Sequence, residues 1–144
     1  MPRYETKKTL AAETKLKELI ERRYERHLVK MPEKYCLDYS SVASDGLVKG
    51  FIELKCCNNN YLKYPRYLLD VHKVSAAKQL SDVTGLPCTL FVQWHDAIGY
   101  VKIPPKNFFI AVKNRTKEKT RNDPNDLQPF FMIPIRDFEI IHRY

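Results

Sequence analysis

Two segments rich in β-forming residues flank the dipeptide Asp45-Gly46, and this feature constrains the fold more than any other in the sequence. A two-residue type I′ turn needs positive φ at both positions, which aspartate followed by glycine adopts readily. Residues 34–57 are therefore predicted to form a β-hairpin. A hairpin with a defined turn also has a defined register, because each residue of one arm faces a particular residue of the other.

The register of this hairpin brings charged side chains together. With the two-residue turn, the numbers of facing residues sum to 91, so that Asp38 faces Glu53 and Cys36 faces Lys55. Facing residues project from the same side of the sheet, about 4.5–5.5 Å apart. Lys55 shares the face of Glu53, because strand side chains alternate with a period of two. Two carboxylates and one ammonium group therefore converge on one patch.

Facing carboxylates destabilise a sheet unless something neutralises them, which gives this patch two interpretations. A divalent cation bound by both carboxylates would neutralise them, and oxygen ligands suit Mg²⁺. Alternatively, the patch is an exposed surface on which Lys55 is a simple salt-bridge partner. The apolar residues around Glu53 favour the first interpretation, because they are typical of a central strand. Ile52 and Leu54 would anchor the opposite face of that strand.

Residues 5–31 are predicted to form one long helix that ends before Pro32. At 100° per residue, Leu16 and Ile20 lie on a single apolar stripe. Glu13 falls inside the same stripe, where a carboxylate is unexpected. Its side chain either reaches the carboxylate patch or extends to water at the edge of the stripe.

The second half of the chain alternates between helical and strand patterns. A helix is predicted over 68–84, with Ser75 as a plausible N-cap of its clearer part and Gly85 as the residue after its end. The other predicted elements are a loop at 58–67, strands at 88–94 and 98–103, an apolar segment at 108–112 that fits a strand or a helix, a charged loop at 113–126, and a strand at 129–141 with an optional helical turn at 136–138. This order predicts one α/β domain over residues 1–144, with helices packed on one sheet.

Composition narrows the function classes. Lysine and arginine number 25 against 17 acidic residues, so the net charge of +8 favours a polyanionic partner. No glycine-rich phosphate loop is present, and no apolar run is long enough to cross a membrane. The first fifteen residues lack the apolar core of a secretory signal, so the four cysteines are expected to be free thiols in the cytoplasm.

The helical glutamate, the aspartate on the first arm and the segment G-F-I-E-L-K on the second arm resemble the PD-(D/E)XK nuclease superfamily. The E-x-K element corresponds to Glu53, Leu54 and Lys55, and the aspartate to Asp38. A TGLP turn leading into an apolar strand, over 84–94, is also similar to small members of the superfamily. The resemblance extends from the first helix to about residue 103. One departure is Leu37, which stands where the superfamily motif has proline.

This resemblance implies a restriction-endonuclease-like core, with a mixed central sheet flanked by helices in the order α-β-β-α-β-β. It implies Mg²⁺-dependent hydrolysis of DNA phosphodiester bonds, with Mn²⁺ as a substitute. Asp38 and Glu53 would bind the metal, and the carbonyl of Leu54 would add a ligand. Lys55 would position the water or stabilise the transition state. Glu13 would be a further carboxylate of the metal site, with Glu21 as a less suitable replacement.

The resemblance also implies DNA as the partner, and a homodimer by analogy with small stand-alone relatives. A branched-DNA or Holliday-junction resolvase of the same fold is one alternative, and a non-catalytic nucleic-acid-binding module is another. The small size suits a phage or bacterial protein.

Several further residues are candidates for contacts with nucleic acid. Lys73, Lys78 and Gln79 lie on or near the second predicted helix, where relatives often place a polar residue over the scissile phosphate. The charged loop contributes five cations to the same prediction: Lys113, Arg115, Lys117, Lys119 and Arg121. Both sets could instead be solvated surfaces. Tyrosines at 61, 64 and 67 alternate with basic residues and could stack on unpaired bases or simply pack the loop.

Overall fold

The computed structural model of the chain describes residues 7–114 and 127–144. Its helices and strands, in chain order, are α1 (Lys7–Tyr24), β1 (His27–Lys30), β2 (Tyr39–Val42), β3 (Val48–Cys56), β4 (Arg66–Asp70), α2 (Val71–Thr84), β5 (Cys88–Gln93), β6 (Ala97–Ile103), β7 (Phe109–Asn114), β8 (Leu127–Pro134) and β9 (Glu139–Arg143). Within the described residues, neither helix is long and apolar enough to cross a membrane.

The strands form two sheets. The larger has the order β1-β2-β3-β5-β6-β9, and the smaller has the order β4-β8-β7. Strands β3 and β5 pair in parallel, whereas the other pairs are antiparallel. Parallel neighbours need a long crossover connection, and β4 with α2 supplies it. The mixed α/β architecture is therefore confirmed, but the expectation of a single sheet was incomplete.

The first helix ends at Tyr24, earlier than predicted. Glu25 has a left-handed backbone (φ 53°), and the chain then continues as β1 beside β2. The Glu21 carboxylate accepts a hydrogen bond from the Leu28 N–H at 2.9 Å, which ties the new strand to the helix. Leu28 is only 2% exposed. Burial of this leucine in the sheet favours the strand over further helix.

The hairpin turn differs from the prediction, but the register beyond it is as predicted. The loop has three residues, 44–46, because Ala43 and Leu47 already form a hydrogen bond at 3.0 Å. Of these three, Gly46 alone has positive φ, at 84°. One extra residue in β3, Lys49, then forms a bulge. This bulge restores the sum of 91 over the remaining strand pairs.

The second helix begins after Asp70, whose carboxylate accepts a hydrogen bond from the His72 N–H at 2.8 Å. The prediction of Ser75 as the N-cap was therefore wrong, and so were the helical prediction for residues 68–70 and the loop prediction for residues 66–67, all of which belong to β4. Leu69 in β4 is 2% exposed, so its burial against the core explains the strand. Gly85 ends the helix in the left-handed conformation, as predicted.

The C-terminal strand prediction covered two strands that belong to different sheets. A 3₁₀ turn at Ile135–Asp137 separates β8 from β9, one residue before the predicted turn. Strand β8 pairs with β4 and β7, whereas β9 pairs with β6. The ambiguous apolar segment at 108–112 belongs largely to strand β7.

Two apolar clusters cover the faces of the larger sheet. One packs α1 residues such as Leu16 and Ile20 against Ile52 and Leu54 of β3. The other packs α2 and the smaller sheet against the face that carries Phe51. Alternation along β3 therefore directs residues 51, 53 and 55 toward the side of α2. The sequence had predicted that Glu53 and Lys55 share a face opposite Ile52 and Leu54.

Substitution of Gly50 by alanine should destabilise the sheet. A Cβ atom at this position would lie 2.8 Å from the carbonyl oxygen of Pro87, whose oxygen also accepts the Phe51 N–H at 3.0 Å. We expect Gly50→Ala to lower the free energy of unfolding by about 1–3 kcal/mol, because backbone must move. Urea denaturation measures this change, with Ser44→Ala in the exposed loop as control. A Gly50→Ala midpoint equal to wild type would contradict the close approach.

Candidate active site

A carboxylate is buried in the centre of the larger sheet. Glu53 of β3 is 1% exposed, between the paired strands β2 and β5. Its Oε2 atom has no hydrogen-bond partner with suitable geometry among the described residues. Burial, and secondarily the charge of Asp38, raise the pKa of Glu53 to about 7 against the opposing effects of two lysines. The side chain is therefore poised between its neutral and ionised forms near neutral pH.

Two lysines approach this carboxylate from different elements. Lys73 on α2 places Nζ 3.1 Å from Glu53 Oε2 and 3.4 Å from Oε1. The same ammonium group donates a hydrogen bond to the carbonyl oxygen of Cys36. Lys55, two residues along β3, places Nζ 3.6 Å from Oε2 and is half exposed. Lys73 therefore pairs with Glu53 from the more buried side, whereas Lys55 pairs with it from the side that faces solvent.

Asp38 lies next to this group, but it is not a strand partner of Glu53. Strand β2 begins one residue later, and the Asp38 carboxylate accepts a hydrogen bond from the Leu54 N–H at 2.9 Å. The predicted pair of Cys36 with Lys55 is absent from the ladder, because Cys36 ends a 3₁₀ turn with φ 62°. The N–H and C=O groups of one strand residue point toward the same edge of the strand. The Leu54 carbonyl is therefore on the edge of β3 where Asp38 lies.

Glu13 is connected to Asp38 through Lys30, which lies close to both carboxylates. Its carboxylate accepts a hydrogen bond from the Tyr39 hydroxyl at 3.0 Å. Lys30 Nζ lies 3.8 Å from Glu13 and 3.9 Å from Asp38, so it links the two carboxylates. The alternative residue, Glu21, instead holds the start of β1. Sequence reasoning missed Lys30, because the segment was assigned to the first helix.

The residues present fit a divalent cation. Within the described residues, no group of three or more acidic, histidine or cysteine side chains is arranged to hold a metal by itself. Mg²⁺, however, commonly uses one or two protein carboxylates and completes its shell with water and phosphate. Glu53 Oε2 is a buried acceptor without a hydrogen bond, and Asp38 acts on Glu53 electrostatically. These two carboxylates are the pair that would hold the ion.

The other predicted nucleic-acid contacts lie outside this cluster. Lys78 pairs with Asp82 on the exposed side of α2, at 3.1 Å. Gln79 lines a cavity of about 420 Å³ with Lys34 and His72. Lys113 is exposed at the end of β7. Arg115, Lys117, Lys119 and Arg121 lie outside the described residues, so their placement stays a prediction.

A mixed sheet with a buried glutamate on its central hairpin, an aspartate beside it and a lysine two residues on defines the PD-(D/E)XK class of nuclease folds. The sequence matches the family described as "Phage putative PDDEXK endonuclease" over residues 1–141, and the chain belongs to this family. The predicted resemblance is thereby confirmed. None of the curated protein sequences matches the chain.

The fold is also similar to a solved structure, that of Hjc, a Holliday junction resolvase from the archaeal hyperthermophile Archaeoglobus fulgidus. The TM-score is 0.51 at 10% sequence identity, covering 86% of this chain and 87% of that one. At this identity the similarity concerns the fold, which confirms the predicted restriction-endonuclease-like core.

Burial of Glu53 should make the metal-free protein less stable as pH rises. Between about pH 4.5 and 7 the folded state holds a proton that the unfolded chain has lost, so the free energy of unfolding falls by roughly 3 kcal/mol. We expect Glu53→Gln to remove this fall. It should therefore gain stability relative to wild type as pH rises from 4.5 to 8.

Urea denaturation in EDTA across this pH range measures the difference. Glu18→Gln removes the same charge from an exposed position of α1 and serves as the control. Parallel pH profiles for wild type and Glu53→Gln would show that this carboxylate ionises as freely in the folded protein as in the unfolded chain.

Proposed function

We propose that this chain is a Mg²⁺-dependent endonuclease that hydrolyses phosphodiester bonds in DNA, with Mn²⁺ as a substitute ion. One observation carries the proposal: the carboxylate of Glu53 is buried within electrostatic reach of a second carboxylate, that of Asp38, and it is paired with Lys73 and Lys55. Burying a carboxylate beside another one is costly, so its retention favours a cation that binds there. Membership of a PDDEXK endonuclease family supports a phosphodiester as the substrate.

In this proposal Asp38 and Glu53 hold the ion, and the Leu54 carbonyl adds a backbone ligand. Bound Mg²⁺ would neutralise charge on the phosphate and lower the pKa of a bound water. The Leu54 N–H fixes the Asp38 carboxylate at 2.9 Å, so this ligand is oriented in advance. Glu13 supports the site from α1 and is oriented by the Tyr39 hydroxyl.

The lysines have separate roles. Lys55 is half exposed and lies beside Glu53, so it can orient the attacking water and stabilise the negative charge that develops on the phosphate. Lys73 is more buried and spans Glu53 and the Cys36 carbonyl. It favours the ionised form of Glu53, which is the form that binds a cation. In this proposal Lys73 is therefore a positioning residue, and a contact between Lys73 and DNA is secondary to that role.

A second candidate is a resolvase that cuts branched DNA. The similarity in fold to the Archaeoglobus resolvase over most of both chains favours it. Cutting two strands of a junction needs two active sites, so this candidate includes a homodimer. Comparison of four-way junctions with linear duplexes as substrates separates the two candidates.

We also propose that the protein acts in the cytoplasm. The cysteines at positions 36, 56, 57 and 88 form no disulfide with each other, and a reducing compartment would keep them as thiols.

Lys55→Ala should abolish turnover while leaving DNA affinity almost unchanged, because the proposed role belongs to the transition state. We expect a loss in kcat of about 10²-fold or more. Plasmid cleavage with Mg²⁺ and with EDTA measures activity, and fluorescence anisotropy in EDTA measures affinity. Lys102→Ala, an exposed lysine on β6, is the matched control.

An equal loss of affinity in Lys55→Ala would instead identify a phosphate anchor. Cleavage by the wild type in excess EDTA would refute the metal mechanism. DNA binding without cleavage under any metal would favour the non-catalytic binding module.

Replacing the five cations between residues 113 and 121 by glutamine should weaken binding to all DNA sequences alike. The plot of log affinity against log salt should become less steep by about 0.9 for each phosphate that the protein no longer neutralises. Binding titrations at several salt concentrations measure the slope. A second variant that keeps Lys113 separates the loop from β7. A slope equal to wild type would identify the loop as a solvated surface.

A further inference from the structure

A second cavity opens beside the candidate active site, and the proposed chemistry does not use it. It has a volume of about 640 Å³ and lies between the segment that follows β3 and strands of the smaller sheet. We call it the aromatic groove, because four of its lining side chains are Tyr61, Tyr64, Tyr67 and Trp94. A groove of this size accommodates a group as large as a nucleobase.

The rings of the aromatic groove differ in exposure: three are packed against other rings, and one is exposed at the edge of the groove. Trp94 is 2% exposed and packs edge-to-face against Tyr61, with ring centroids 5.5 Å apart. Tyr67 packs in the same manner on Phe138. Tyr64, by contrast, is 52% exposed, so core packing does not account for its position. An exposed ring beside a groove offers a flat surface on which another ring can stack.

Cations surround these rings. Arg66 and Lys113 line the groove, and none of its described lining residues is acidic. Lys63 lies over the Tyr64 ring at 5.5 Å, and Arg143 lies over the Tyr61 ring at 5.7 Å. This combination of aromatic faces and positive charge complements a flat base attached to a negatively charged backbone.

The aromatic groove is close to the candidate active site along the chain and in space. Cys57 lines the groove and lies two residues after Lys55, about 7 Å along an extended strand. Tyr67 is partly buried, and the charges of Cys57 and Glu53 add to the effect of burial in raising its pKa. Tyr67 is therefore within electrostatic reach of the glutamate that we assign to the metal.

We propose that the aromatic groove binds unpaired bases of a single-stranded DNA segment beside the phosphate that is cleaved. The substrate class is then DNA in which a duplex meets a single strand, such as a tailed or branched duplex. Bases within a duplex are stacked on each other and cannot enter such a groove without first being unstacked. This inference rests on the proposed function, whose active site it extends.

Binding experiments in EDTA test the inference without depending on cleavage. The probes are a blunt duplex and the same duplex with a ten-nucleotide single-stranded tail, measured by fluorescence anisotropy. We expect the wild type to bind the tailed duplex more tightly. Tyr64→Ala should weaken binding of the tailed duplex about tenfold, the effect of losing one stacked base, and leave the blunt duplex unchanged.

Two variants control for indirect effects. Tyr64→Phe keeps the ring and should retain the preference for the tail. Leu62→Ala changes a residue of the same loop that is 68% exposed and should bind as wild type. Arg66→Gln provides an independent test of the groove, since it should weaken tail binding and flatten the salt dependence for the tailed duplex only.

A base analogue in the tail locates the bound position directly. 2-Aminopurine placed at successive tail positions should change in fluorescence on binding at the positions nearest the duplex, and Tyr64→Ala should remove that change. Equal affinity of wild type for tailed and blunt duplexes would overturn the inference while leaving Mg²⁺-dependent cleavage intact. A retained tail preference without cleavage under any metal would instead overturn the proposed nuclease function and leave the binding inference standing.

Discussion

The burial of one carboxylate in the middle of a sheet is the constraint on which the site depends. An ionised glutamate that is 1% exposed is unfavourable unless cations and hydrogen bonds compensate for the lost water. The compensation comes from Lys73 and Lys55, which lie 3.1 and 3.6 Å from the same Glu53 oxygen. Because Lys73 is on α2, the crossover between β3 and β5 also positions the charge that makes this burial tolerable.

The two lysines compensate only in part for the burial of the Glu53 charge. Glu53 Oε2 has no hydrogen bond among the described residues, and its pKa is raised to about 7. Where β2 has not yet begun, the Asp38 side chain takes the place of a backbone acceptor for the Leu54 N–H. This hydrogen bond orients the Asp38 carboxylate beside Glu53, where we propose that the two hold the ion.

The smaller sheet forms a second surface next to the face of the larger sheet that carries Glu53 and Lys55. Strand β4 connects β3 to α2 and pairs with β8, so the aromatic groove forms where the two sheets meet near the end of β3. Charge and aromatic rings thus lie beside the proposed metal ligands. The sequence showed the alternating tyrosines and cations but left their role open between base stacking and loop packing. The exposed ring of Tyr64 and the groove beside it are the observations from which we infer base stacking.

Local patterns in the sequence determined the hairpin, the end of α2 at Gly85 and the face shared by Glu53 and Lys55, because alternation and turn residues act over a few positions. They also showed the resemblance to the nuclease superfamily, since Asp38 and the E-x-K element lie close together in the sequence. The strand β1, the second sheet and the approach of Lys30 and Lys73 were decided by the tertiary structure. Each depends on contacts between distant segments, where burial outweighs local helix propensity.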